Sequence, residues 1–288
     1  MHTRNRYLIR FSMALVLALL YVSDTAAQAQ ETIFIPVKAK GWFGSVKDIR
    51  LEATIYRPSG DAKFPLVVFN HGSTGMGAVP TSRTFRHEKQ AQFFLDRGFA
   101  VIVPMRKGRG QSEGRYSESE ARTCDFGNWY PGIESAIEDV NGVINYAATL
   151  PYVDSSRIIL SGISRGGFLS VAYAVQGAAR AQVEGVINFV GGWVGEGCPR
   201  DFNRESYSEF GKKTNLRMLW LYAENDSYYS PTAIRGYAAE FAAAGGEVNF
   251  KLYGGISGNG HRLAEHLSVW EADAGKYLES IGFVKSGQ

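Results

Sequence analysis

Apolar and polar positions alternate twice near the start of the chain and then give way to solid apolar runs separated by helical periods. Residues 32–38 and 49–56 ("IRLEATIY") alternate as half-buried strands, predicting an antiparallel opening that Arg57-Pro58 ends. Residues 64–70 ("FPLVVFN") are continuously apolar, as a strand covered on both faces must be, and stop at His71-Gly72-Ser73. A helical period over 83–97 closes at Gly98, and "AVIVP" (100–104) is a second buried strand. The pattern then predicts a helix over 131–150, a strand over 157–162, a helix over 165–175, and strands over 186–190 and 217–223. A helix over 231–244 with Gly245-Gly246 as its stop, a strand over 248–253 and a closing helix over 262–281 complete it. Strand and helix in regular alternation predict an α/β fold, a mostly parallel sheet with helices on both faces. No linker interrupts the alternation, so residues 30–288 read as one domain. The stretch 192–215 is long for a connection and rich in Gly, aromatic and charged residues, as expected of a small cap over a site.

Open α/β sheets bind ligands beyond the carboxyl ends of their strands, so polar residues at those ends are the candidates. They are His71-Gly72-Ser73, Arg106 to Gly110, Ser164, Glu224 to Asp226, and the Gly-rich loop leading to His261. A serine, an acid and a histidine therefore follow strands in the chain order of a nucleophile elbow. In "GISRG", Gly162 and Gly166 flank Ser164 at two residues on either side, where a strand that turns directly into a helix leaves no room for side chains. Ser164 at the helix start would place the N–H of Arg165 where it can receive an oxyanion. The rival reading is a plain helix N-cap. Glu224 competes with Asp226 for the acid, and Asp226 could instead cap the helix near Pro231. His266, a turn into the last helix, competes with His261. His71 reads as a residue shaping its loop, and Arg106 and Arg109 as ties to carboxylates. Phe126, Trp129, Tyr130 and Trp193 could line a pocket or simply pack.

In these residues the chain resembles the α/β-hydrolases, close to the dienelactone hydrolases and the prolyl-oligopeptidase-like esterases and peptidases. The resemblance runs from about Thr32 to the last helix. It rests on "HGS" after the third strand, "RKGRGQSEG" after the fourth, "GISRG", Asp226 in "YAENDSYYSP" and "GHR" at Gly260-His261-Arg262. It implies an α/β-hydrolase fold without a cofactor and a triad of Ser164, His261 and Asp226. The oxyanion would be held by the N–H groups of Arg165 and Ser73. Two departures stand out. The oxyanion loop reads HGS rather than HGG, and Ser164 replaces the cysteine of dienelactone hydrolases, which points to general ester or amide hydrolysis. Large peptidases of this group carry an N-terminal propeller, and the roughly thirty residues between the predicted cleavage site and the third strand leave no space for one. An esterase is expected ahead of a small aminopeptidase-like peptidase. A non-catalytic binding module on the same fold is the reading from another class.

Composition changes little except for compartment. The 288 residues are 45% hydrophobic and 20% charged, with a net charge of +3. Arg4, Arg6 and Arg10 precede an apolar stretch over 11–22 and the small-x-small pattern Ala27-Gln28-Ala29, which predicts a signal peptide over 1–29 and a periplasmic or secreted protein. The apolar stretch is too short to cross a bilayer. Removing three arginines and Asp24 with it leaves a net +1 and no basic stripe, so nucleic acid is not an expected partner. The expected partner is a small ester or short peptide, and the oligomeric state is left open. Two cysteines, Cys124 and Cys198, suggest a disulfide in an oxidising compartment, with two free thiols as the alternative. "HRLAEH" (261–266) has no metal-binding spacing, and Asn225-Asp226-Ser227 reads as an accidental glycosylation sequon.

Overall fold

The computed structural model describes residues 29–40, 45–73, 81–116, 118, 129–198 and 200–284. The expected signal peptide except its last residue, Ala29, lies outside the described residues, as do Cys124 and Phe126. Eight strands form one sheet: β1 (Ala29–Lys40), β2 (Val46–Arg57), β3 (Phe64–Asn70), β4 (Ala100–Pro104), β5 (Val153–Ile163), β6 (Val183–Phe189), β7 (Met218–Ala223) and β8 (Val248–Tyr253). Their spatial order is β1-β2-β4-β3-β5-β6-β7-β8. Pairings β1/β2 and β2/β4 are antiparallel, and all the others are parallel. The alternating opening strands thus lie at one edge and the solid apolar runs in the centre, where both faces are covered.

The helices are α1 (Glu88–Leu95), α2 (Trp129–Ala147), α3 (Arg165–Gln176), α4 (Phe202–Gly211), α5 (Pro231–Ala243) and α6 (Leu267–Ser280). α1 packs with α6, whereas α2, α3, α4 and α5 form a separate contiguous series, the division expected of two covered faces. From β3 the chain steps outward to β4 and then returns through α2 to β5 on the other flank of β3. The carboxyl ends of β3 and β5 are therefore the topological switch point, where a crevice opens. Asn70 pairs with Gly162 and Ile163 with Phe189, so the "HGS" loop and Ser164 leave the sheet side by side.

Four elements differ from the sequence pattern for identifiable reasons. The helix expected over 83–97 starts only at Glu88, because side chains tie the preceding residues to β2 and to Met105 just after β4. Thr84 Oγ1 donates to Glu52, Tyr56 Oη to the Arg86 carbonyl, and the Phe85 N–H to Met105 Sδ. β5 begins at Val153, ahead of the expected 157, because Val153 and Asp154 already pair with Phe64 and Pro65 before a register shift. The expected closing helix is split. Residues Gly260–Glu265 form a 3-10 turn with non-helical dihedrals at Arg262, and α6 follows. There the Ala264 carbonyl turns to accept from Gln90 Nε2 (2.6 Å) and Trp270 Nε1 (3.3 Å), bonds that a continuous helix would have kept for itself. Finally, much of the stretch expected as a cap is α4, the crossover helix between β6 and β7. Asp201 caps it by accepting from the Arg204 N–H. Only about ten residues before it remain as a loop over the strand ends.

Phe202, Tyr207 and Phe210 of α4 bury against Phe168 of α3, with ring centroids 5.2–6.2 Å apart. The candidate pocket aromatics Trp129 and Trp193 belong to this core. Trp129 meets Phe202 edge to face and Trp193 tilts against Phe168, both essentially without exposure. Tyr130 alone of the described set is half exposed.

Candidate active site

Ser164 ends β5 and starts α3, and its backbone carries the cost of that abrupt turn: φ is 56° and ψ is −122°. Few non-glycine residues adopt positive φ, and such strain persists only where the surroundings over-determine it. Here the Ser164 N–H donates to the Phe189 carbonyl (2.9 Å), and its carbonyl accepts from Phe168 (3.0 Å) and Gly192 (3.3 Å). Its side chain makes no cap bond to the helix, so the plain N-cap reading loses its defining contact. The first N–H groups of α3, beginning with Arg165, have no acceptor within the helix. Gly72 lies directly over the serine. A Cβ built on it would stand 3.4 Å from Ser164 Cβ. Ser73, expected as the second oxyanion donor, is exposed next to it, and the chain beyond lies outside the described residues.

Asp226 follows β7, and His261 opens the 3-10 turn after β8. His261 Nδ1 is 2.8 Å from Asp226 Oδ2 and 3.0 Å from Oδ1. The aspartate side chain is fully buried and that of the histidine 14% exposed. Asp226 Oδ1 also accepts from the N–H groups of Tyr228 (2.7 Å) and Tyr229 (3.3 Å), which hold the carboxylate in one orientation. Asn259 and Asn225 brace the loop from below. Asn259 Oδ1 accepts from His261 and Ser227, and Asn225 Nδ2 donates to Ile256 and Gly258. The rival acid Glu224 points elsewhere, to Arg235 on the surface at 3.4 Å. Ser230, not Asp226, caps α5. His266 stands at the residue before α6 and makes no side-chain bond to the helix start.

The serine and the histidine are linked through a short chain of contacts. Gly192 bonds Ser164, and a Cβ on Gly192 would meet the Tyr229 hydroxyl. The Tyr229 ring in turn lies 5.8 Å from that of His261. Burial, first of all, pushes the Tyr229 hydroxyl well above its ordinary range, so it stays protonated. The exposed Tyr228 ring lies 4.4 Å from the imidazole. Neither tyrosine carries a sequence signal, since both sit in a loop whose only readable feature was its acid.

Beneath the "HGS" loop, His71 is buried and stacked on Phe85. Its Nε2 accepts from the Arg106 N–H (3.2 Å), and its Nδ1 lies 2.6 Å from the Gly72 carbonyl. Burial and then the neighbouring Arg106 lower its pKa far below the ordinary value, so it is a neutral loop-shaping residue. Arg106 makes the expected tie to a carboxylate, Glu118. The Arg109 guanidinium lies 3.6 Å from the centroid of Tyr116. Among the described residues, no group of three or more His, Cys, Asp or Glu side chains is placed to hold a metal, and no helix is long and apolar enough to cross a membrane.

Three comparisons bear on this geometry. The Acinetobacter baumannii quorum-quenching protein AidA is 30% identical over 120 residues, 42% of this chain and 34% of that protein. The matched part spans about a third of the length of the curated relatives. Among solved structures, a Klebsiella pneumoniae protein assigned as a dienelactone hydrolase superposes with a TM-score of 0.58 at 16% identity, covering 88% of this chain and all of that one. The Thermogutta terrifontis esterase 2 phosphorylated by paraoxon superposes with a TM-score of 0.58 at 18% identity, over 88% of this chain and 97% of that one. At such identities the likeness is one of fold, and the fold is that of the α/β-hydrolases. The family model for the X-Pro dipeptidyl-peptidases matches residues 47–198, just over half of the sequence, from β2 through the elbow to the loop before α4, and the chain belongs to that family, S15.

Proposed function

We propose that the protein is an exported serine hydrolase that cleaves carboxylic esters through an acyl-enzyme. The observation that carries this reading is the pairing of a buried, doubly anchored Asp226 with His261 Nδ1, beyond the carboxyl ends of the strands, where Ser164 too stands in a strained turn at a helix start. With Nδ1–H donating to the carboxylate, Nε2 is the free base. Ser164 Oγ attacks the ester carbonyl while His261 Nε2 takes its proton, and Asp226 stabilises the imidazolium that forms. The carbonyl oxygen becomes an oxyanion facing the N–H groups of Arg165 and Ser73, each contributing on the order of 3 kcal/mol. His261 then protonates the departing alkoxide, and water repeats the sequence on the acyl-enzyme.

Family membership favours a second reading on the same residues, cleavage of peptide bonds in short peptides. The test begins with a fluorophosphonate probe on the purified protein and on Ser164→Ala. Covalent labelling of the wild type alone is expected. A folded wild type that stays unlabelled would sink the reading and leave a binding module. With labelling in hand, p-nitrophenyl acetate and butyrate are expected to turn over at higher kcat/KM than an Xaa-Pro p-nitroanilide, and the reverse order would favour the peptidase.

Export and a Cys124–Cys198 disulfide belong to this reading. Cys198 packs against the core at the loop before α4. Thiol titration of denatured, unreduced protein is expected to find no free thiol, and two would refute the pairing.

A further inference from the structure

The two walls of the oxyanion site come from distant parts of the chain, the loop after β3 and the start of α3. One buried carboxylate touches the supports of both. Arg106 donates from Nη1 to the His71 carbonyl at 2.9 Å, and its Nε and Nη2 grip the Glu118 carboxylate side-on. Arg165 sends Nη1 to the Glu118 main-chain carbonyl (2.8 Å) and to Tyr116 Oη (3.0 Å), and Nε to the Trp193 carbonyl (2.7 Å). Its guanidinium also lies 3.9 Å from Glu118 Oε2. All three charged side chains are buried, Arg106 and Glu118 almost completely. Burial alone would raise the Glu118 pKa. Arg106 above all, with Arg165, overcomes it and holds the group down to about 2. The cluster therefore carries two cations around one fixed anion, in a bidentate geometry that sets angle as well as distance.

Nothing in the fold alone asks for this. The helix start and the "HGS" loop are already placed by sheet pairing, to the precision that main-chain pairing provides. Oxyanion donors require more, because a displacement of about 1 Å at a reacting centre can cost a hundredfold in rate. Resting on the serine-hydrolase reading above, we propose that Glu118 is a positioning residue for the proposed reaction, clamping the His71–Ser73 wall through Arg106 and the Arg165 wall through its own carbonyl. Its work is done in the transition state, where the donors must meet the oxyanion.

The test replaces Glu118 by Gln, which keeps shape but presents an amide NH2 to a guanidinium, and by Asp, which keeps charge but withdraws it by one methylene. Steady-state kinetics on p-nitrophenyl acetate and fluorophosphonate labelling rates are measured beside thermal melts. For folded Glu118→Gln, kcat is expected to fall about tenfold to a hundredfold with KM within about twofold, and Glu118→Asp to recover part of the loss. A merely structural carboxylate would lower the melting temperature and leave kcat per folded molecule unchanged, which overturns the proposal. If Glu118→Gln does not fold, Glu118→Asp decides by the same split: lowered kcat at constant KM supports it, and wild-type kcat overturns it. A wild type that neither turns over ester nor labels overturns both this proposal and the reading beneath it.

Discussion

Replacing Asp226 by asparagine is expected to lower kcat on a p-nitrophenyl ester by about four orders of magnitude while leaving the thermal melt nearly unchanged. The reason lies in what already holds the side chain. Oδ1 accepts two main-chain N–H groups, from Tyr228 and Tyr229, and only an oxygen can fill that seat. The carboxamide oxygen must take it, which puts the NH2 at the Oδ2 position, 2.8 Å from His261 Nδ1. Two N–H groups cannot face each other, so the imidazole proton moves from Nδ1 to Nε2. The proposed base then carries a proton where it should accept one from Ser164. Labelling by the fluorophosphonate should slow in parallel, since it uses the same nucleophile and base. A kcat within tenfold of the wild type would place the acid elsewhere. Glu224→Gln would be the next variant, although its present partner is Arg235.

Gly166→Ala is expected to destabilise the protein by at least about 4 kcal/mol or to prevent folding. A Cβ there would sit 2.1 Å from the Asn70 carbonyl oxygen, 2.5 Å from its carbon and 2.6 Å from the His71 carbonyl oxygen. All three are main-chain atoms at the exit of β3. They cannot retreat, because Asn70 is paired with Gly162 in the sheet, and Gly162 itself has no room for a Cβ against Gly166 and Asn70. Overpacking against a mobile side chain costs far less, since the side chain can move. Gly195→Ala is the matched control: its Cβ would meet nothing within 4 Å, and a change within about 0.5 kcal/mol is expected. Urea melts of the two variants check both. A loss under about 1 kcal/mol for Gly166→Ala would mean that the elbow is looser than its contacts indicate.

These variants mark how far the sequence reaches. The central strands were legible because a strand covered on both faces must be apolar throughout, and β3 and β4 start and stop where the runs do. The glycines around Ser164 were legible for a similar reason: where main chain approaches main chain at these distances, the demand falls on single residues and shows in the sequence itself. Where side chains compete for the backbone, the sequence misled. The pattern over 83–97 is helical, yet bonds from Thr84 and Tyr56 across to β2 and Arg86 hold its first residues out of the helix. The helical reading of 262–281 failed likewise where Gln90, far away in sequence, draws off a carbonyl. Within the stretch after β6, only packing on α3 and α5 made a helix of what composition presented as a loop.

The choice of acid shows the same division. Sequence order alone placed Glu224 and Asp226 equally well beyond β7, and the resemblance favoured the second. The structure pairs Asp226 with His261 because residues 226–229 turn inward on their own N–H groups while Glu224 faces solvent. Glu118 left no trace at all in the pattern, since a buried carboxylate is defined by the cations folded around it. Alternation, apolar runs and obligatory glycines are local demands, and the sequence by itself determined them, and with them the α/β class and the position of Ser164. Which carboxylate meets which histidine or arginine depends on contacts between residues tens of positions apart, and only the tertiary structure could decide it.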